Sequence, residues 1–106
     1  MVIEVRVRGF SASRFLQTFA TRKVREALLS SSDKINRVVV RITDVNGPKG
    51  GVDKRCQLVA HGPGLRHLTV QSADDDPFAA VAKAVKRCVR SLRRRTERQT
   101  PRVSPA

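Results

Sequence analysis

The chain has 106 residues, with 22 Lys and Arg against 9 Asp and Glu and a formal charge of +13. That length supports one hydrophobic core, so a second domain is not expected, and the charge favours a polyanionic partner, nucleic acid before anionic membrane, over mere solubility. No apolar run approaches the length that spans a bilayer, and Met1-Val2-Ile3-Glu4-Val5-Arg6 lacks the basic-then-apolar order of a secretory signal, so a cytoplasmic protein is expected.

Val2 to Arg8 alternates, with Ile3, Val5 and Val7 on one side and Glu4, Arg6 and Arg8 on the other, as a half-buried strand requires; Gly9 ends it. Ser11 or Ser13 can cap the helix that follows, in which Phe15, Leu16, Phe19, Ala20, Val24, Ala27 and Leu28 recur at helical spacing to about Ser30. Arg37 to Thr43 alternates Val38, Val40 and Ile42 against Arg37, Val39 and Arg41. A third strand is predicted over Lys54 to His61, with Cys56, Leu58 and Ala60 inward. Gly62-Pro63-Gly64 then turns the chain into a fourth, Leu65 to Ser72, with Leu68 and Val70 inward. Asp74-Asp75-Asp76-Pro77 opens a second helix, expected to reach about Arg95: an acidic cap, Pro at the first helical position, and carboxylates at the positive end of the dipole.

The order strand, helix, strand, strand, strand, helix implies an α+β two-layer domain with a four-stranded mixed sheet. The first crossover makes strands one and two parallel, and the two short loops make antiparallel hairpins. One sheet face packs both helices. The other, carrying Arg6, Arg8, Arg41, Arg55, His61 and His67, stays open to water. Residues 1–96 are expected to form this domain and 97–106 a flexible tail.

The second helix is the most informative segment. Phe78, Val81, Val85, Cys88, Val89 and Leu92 form an apolar stripe, while Lys83, Lys86, Arg87, Arg90 and Arg94 gather on the other side. An exposed helix normally carries carboxylates four residues from its cations, yet none occurs between Pro77 and Thr96, so an external anion is the economical partner. The first helix repeats the theme with Arg14, Thr18, Arg22 and Arg25 along one edge, although Glu26 lies nearby. Lys23 falls within the apolar arc and is expected to carry its amine past the core edge. With four Phe and no Tyr or Trp there are few platforms for stacking bases, which favours recognition through phosphates and helical shape.

Other features point away from chemistry. Asn46-Gly47-Pro48-Lys49-Gly50-Gly51 reads either as a permissive hairpin connection or as a phosphate-approaching arm with Lys49 at its tip. It lacks the GxxxxGK[ST] spacing of a nucleotide-hydrolysing loop. His61 and His67 have no carboxylate predicted beside them on the open sheet, and Cys56 and Cys88 fall on apolar sides without metal-ligand spacing, as small core residues. No cofactor, metal or small-molecule substrate is expected, nor is enzymatic activity.

Asp76-Pro77-Phe78-Ala79-Ala80-Val81 running into Ala84-Val85-Lys86-Arg87-Cys88-Val89-Arg90-Ser91-Leu92, with the turn Gly62-Pro63-Gly64 and the element order over roughly residues 1–96, resembles the ribosome hibernation-promoting factor and ribosome-associated inhibitor family, also called the sigma-54 modulation family. The resemblance implies a domain akin to the double-stranded RNA-binding fold that binds the small ribosomal subunit and inhibits translation when growth slows. It also implies contacts to ribosomal RNA from Lys86, Arg87 and Arg90, together with Lys23 and Arg25. Phe78 stands where the family has Tyr, Cys88 where it has Leu, and the Gly47 to Gly51 loop is longer than usual. The length resembles the family's short form, expected to act as a monomer when bound. A general RNA- or DNA-binding chaperone is the alternative function.

Overall fold

The alternation along Val2–Arg8 does form a strand, β1, and it pairs in parallel with β2 (Arg37–Asp44), setting Ile3 beside Val38, Val5 beside Val40 and Val7 beside Ile42. β3 (Lys54–Gly62) and β4 (Leu65–Asp74) follow in antiparallel hairpins, giving one sheet in the order β1-β2-β3-β4. The helices are α1 (Arg14–Leu28), continued by a 3-10 turn over Leu29–Ser31, and α2 (Pro77–Gln99). This computed structural model describes residues 1–9, 13–45, 54–63 and 65–99. The α+β architecture is the one expected. β2, β3 and β4 run one or two residues further than the alternation implied, and α2 continues past Arg95 to Gln99.

Local chemistry sets the element ends. The Ser13 Oγ accepts a hydrogen bond from the Leu16 amide at 3.2 Å and caps α1. Asp76 Oδ1 accepts from the Phe78 amide at 2.9 Å, and Asp74 Oδ1 accepts from the Asp76 amide at 3.0 Å, so the acidic run caps α2 as its composition predicts. Gly9 ends β1 at φ 91°, a conformation that L side chains rarely adopt. At Gly62 the constraint is space: a Cβ there would lie 1.7 Å from the Lys34 carbonyl oxygen, where the end of β3 passes the segment entering β2.

The core lies between the sheet and the two helices. Leu16, Ala20, Val24 and Leu28 of α1 and Ala80, Val81, Ala84, Val85, Cys88 and Leu92 of α2 are buried against Val38, Val40, Ile42, Cys56, Leu58, Ala60 and Leu68. Ala80 and Ala84, outside the predicted stripe, are fully buried, because small residues one turn apart let the helix backbone approach the sheet. The buried Ser72 of β4 donates its hydroxyl proton to the Ala80 carbonyl, which ties strand to helix and satisfies the polar group.

Two apolar positions depart from expectation. Phe15, counted with the apolar arc of α1, is 80% exposed, because the seam between the helices begins one turn later. There Phe19 meets Phe78 edge-on with ring centroids 5.1 Å apart. Val39 points to the outer sheet face, yet it is only 5% exposed. Its cross-strand neighbours are Glu4 and Val59, and Arg37 and Arg41 flank it on the same side, so long side chains cover it with their stems.

Candidate nucleic-acid interface

α1 and α2 lie side by side in the same direction. Phe19 meets Phe78 near their starts, and Ala27 and Leu28 share a depression of about 370 Å³ with Val89, Leu92 and Arg93 near their ends. Lys23 therefore stands beside the middle of α2. Its Nζ lies 5.7 Å from the centroid of the Phe19 ring while the side chain remains exposed, as expected of an amine carried past the core edge.

The predicted cations of α2 divide into two rows. Lys83 and Arg87 turn toward β4, one of the two edge strands of the sheet. Lys83 Nζ pairs with Asp74 Oδ2 at 2.6 Å and reaches the Ala73 carbonyl at 3.4 Å, Arg87 donates to the Gln71 carbonyl, and Arg95 follows with a 3.5 Å contact to the His67 carbonyl. These side chains occupy strand carbonyls that would otherwise be open to another chain. The expectation that the helix charges go uncompensated within the chain is thus corrected for Lys83, while Arg87 is hydrogen-bonded to a neutral carbonyl. Lys83 finds its carboxylate nine residues back, on a neighbouring strand, where a search along the helix cannot see it. Lys83, first among the causes, and then the Asp76 amide hold the Asp74 carboxyl well below the usual carboxylate range, whereas the adjacent Asp74 raises Asp75.

The second row is Lys86, Arg90 and Arg93, spaced by four and three residues and exposed on the outward side of α2. Among the described residues these three side chains have no ion pair. Arg93 was not among the predicted contacts, although the spacing that joins Lys86 to Arg90 also reaches it. Arg94 is exposed and follows Arg87 by seven residues, on the β4 side of the helix. Arg14, Arg22 and Arg25 are exposed on α1, where Arg22 and Arg25 border a shallow surface with Thr18 and Glu26. Lys49 lies outside the described residues, as does the loop around it. The arrangement therefore gathers Lys23, Lys86, Arg90 and Arg93 into one cationic strip along the helix pair, and leaves Lys83 and Arg87 as its inner margin.

Elsewhere the groups with chemical potential are occupied or dispersed. Among the described residues no cluster of three His, Cys, Asp or Glu side chains could hold a metal ion, and no buried side-chain polar atom lacks a hydrogen-bond partner. Cys56 and Cys88 are free and buried; burial pushes the Cys56 thiol up to about 12 and the Cys88 thiol up to about 11, the reverse of what a nucleophile needs. His61 and His67 face each other edge-on at 4.7 Å on the outer sheet. No described helix is long and apolar enough to cross a membrane.

Comparison with known proteins identifies the family and the fold. Residues 3–100 match the family described as Sigma 54 modulation protein / S30EA ribosomal protein. Among solved structures, the fold is similar to a ribosomal subunit interface protein from Coxiella burnetii, with a TM-score of 0.76 and 16% identity over 92% of this chain and 99% of that one. It is also similar to the N-terminal domain of Protein Y from Thermus thermophilus, with a TM-score of 0.70 and 17% identity over 89% of this chain and 98% of that one. At such identities the likeness shows the fold. No curated protein matches the sequence at a significant level.

Proposed function

Given that the chain belongs to the Sigma 54 modulation protein / S30EA ribosomal protein family, we propose that it associates with the ribosome in the cytoplasm, binds ribosomal RNA of the small subunit, and inhibits translation when growth slows. The observation that carries the RNA contact is the strip of Lys23, Lys86, Arg90 and Arg93: four exposed cations along two parallel helices, facing away from the core, with no carboxylate paired to them among the described residues. Releasing the counterions condensed on an RNA backbone offsets the repulsion within such a strip, and arginine's planar fork suits phosphate oxygens. The absence of Tyr and Trp supports reading by backbone and shape. The structural neighbours, a subunit interface protein and Protein Y, share the fold that places the two helices side by side.

The test is sedimentation through a density gradient at moderate salt with a cell-free translation assay run in parallel. The protein is expected to travel with the small subunit or the whole ribosome and to lower translation. Displacement by excess unstructured RNA as readily as by excess ribosomes would replace this reading with that of a general RNA binder.

A further inference from the structure

The outer face of the sheet carries a second cationic cluster, on the opposite side of the domain from the helix strip. Strand register puts Arg6 opposite Arg41, and Thr43 between Arg8 and Arg55, so four exposed arginines crowd neighbouring positions on three adjacent strands. Like charges directly opposed across a sheet destabilise it. The carboxylate that serves this face is Glu4, which accepts from Arg6 at 2.9 Å and from Arg37 at 2.8 Å; Arg37, first among the causes, and then Arg6 hold its pKa low. Among the described residues Arg8, Arg41 and Arg55 have no ion pair. Arg6, Arg8, Arg41 and Thr43 line a depression of about 420 Å³ that combines guanidinium donors with a hydroxyl.

We propose that Arg8, Arg41 and Arg55, with Arg6 at their margin, form a second phosphate-binding surface for an RNA backbone, so that the domain is gripped between two RNA segments, one on each layer. The proposal rests on the reading that the helix strip binds RNA, and it adds a separate site with its own residues. The chemistry that selects the ligand is the positive charge of Arg8, Arg41 and Arg55, beyond the reach of the Glu4 pairs, together with planar forks suited to phosphate oxygens. The strands hold these side chains on a stiff platform about two strand spacings, roughly 10 Å, wide. That breadth suits a polyanionic backbone better than a single small anion.

Two RNA duplexes of about 20 base pairs, one carrying a fluorescence donor and one an acceptor, test the bridging directly, about 16 base pairs being the span of a known duplex-binding domain. The wild-type chain is expected to bind two duplexes and produce energy transfer. The sheet variant R8Q/R41Q/R55Q should bind one duplex and lose transfer, and so should the helix variant K86Q/R90Q/R93Q. The charge-preserving variant R8K/R41K/R55K should retain transfer, which separates loss of charge from loss of fold. No transfer with the wild type, or transfer that persists in the sheet variant through self-association, overturns the proposal. Failure to sediment with ribosomes would instead overturn the proposed function and leave the duplex result standing.

Discussion

The two cationic rows of α2 are built from the same two residue types, Lys and Arg, and have different surroundings. Lys83 and Arg87 face the edge of β4 and direct their hydrogen bonds to the Asp74 carboxylate and to strand carbonyls, whereas Lys86, Arg90 and Arg93, on average about a fifth of a turn away, face solvent with no ion pair among the described residues. The difference teaches that positive charge on a helix does not by itself define a binding site. A cation already matched to an internal acceptor gains less from a phosphate, because the internal bond must be given up first. The inner row covers a sheet edge, and the outer row is the one we propose meets an external anion.

The largest effect expected from this contrast is on binding. K86Q/R90Q/R93Q should weaken ribosome affinity about a hundredfold at roughly 0.1 M salt and flatten the slope of log affinity against log salt by about 2 to 3, at about 0.7 to 0.9 per phosphate contact. Its melting temperature should stay within roughly 2 °C of wild type, since the three side chains are exposed and Gln keeps the helix propensity. Putting R87Q in the place of R93Q should add a stability loss. If the outer-row variant sediments with ribosomes as wild type does, the contrast between the rows fails.

The inner row should show the reverse pattern. Arg87→Met keeps the aliphatic stem and the helix propensity but removes the donor to the Gln71 carbonyl. It should cost about 1 kcal/mol, a fall in melting temperature of roughly 4–8 °C for a domain of this size, with ribosome affinity within about threefold of wild type.

A smaller effect is expected in acid. The Asp74 carboxyl is held low by Lys83 and then by the Asp76 amide, and such a group stabilises the fold above its ordinary pKa of 3.8 and loses that contribution as pH falls below it. Glu4, held low by Arg37 and Arg6, acts in the same direction below its ordinary 4.5. Melting temperature should therefore drop below about pH 4, and Asp74→Asn should make that drop shallower. An equally steep drop in the variant would show that the Lys83 contact contributes nothing to the fold.

The third side of α2 answers only in alkali. Cys88, with Cys56 across the core, has a raised pKa, so its contribution is complete below the ordinary thiol value of 9.0 and is lost as pH climbs toward 11 to 12. Melting temperature should be level near neutral pH and decline above about pH 9, less steeply in Cys88→Ala. Both thiols should resist alkylation until the chain unfolds.

Much of the fold was legible in the residues because its signals are local. Period-two alternation over Val2 to Arg8 and over Arg37 to Ile42 commits each side chain to one face of a strand wherever that strand pairs, and the Asp76-Pro77 start caps a helix whatever packs on it. The cationic character of α2 was equally legible, since charge is carried by the residues themselves. Phe15 is different: nothing within α1 says that the seam with α2 begins at Phe19, which depends on where Phe78 arrives. The buried Ile35, alone among polar neighbours, carries no periodic signal at all. Arg93 was within reach of the pattern, by the spacing that joined Lys86 to Arg90.

By itself, then, the sequence determined the order and type of the elements, the apolar faces and the sign of the surface, because each follows from side-chain chemistry repeated at backbone spacing. Only the tertiary structure decided which cations are already matched. Lys83 meets Asp74 across nine residues, Arg87 reaches Gln71 across 16, and Glu4 holds Arg37 across 33. Such pairings depend on where the crossover and the hairpins bring separate strands together, and no window along the chain contains both partners in their folded geometry.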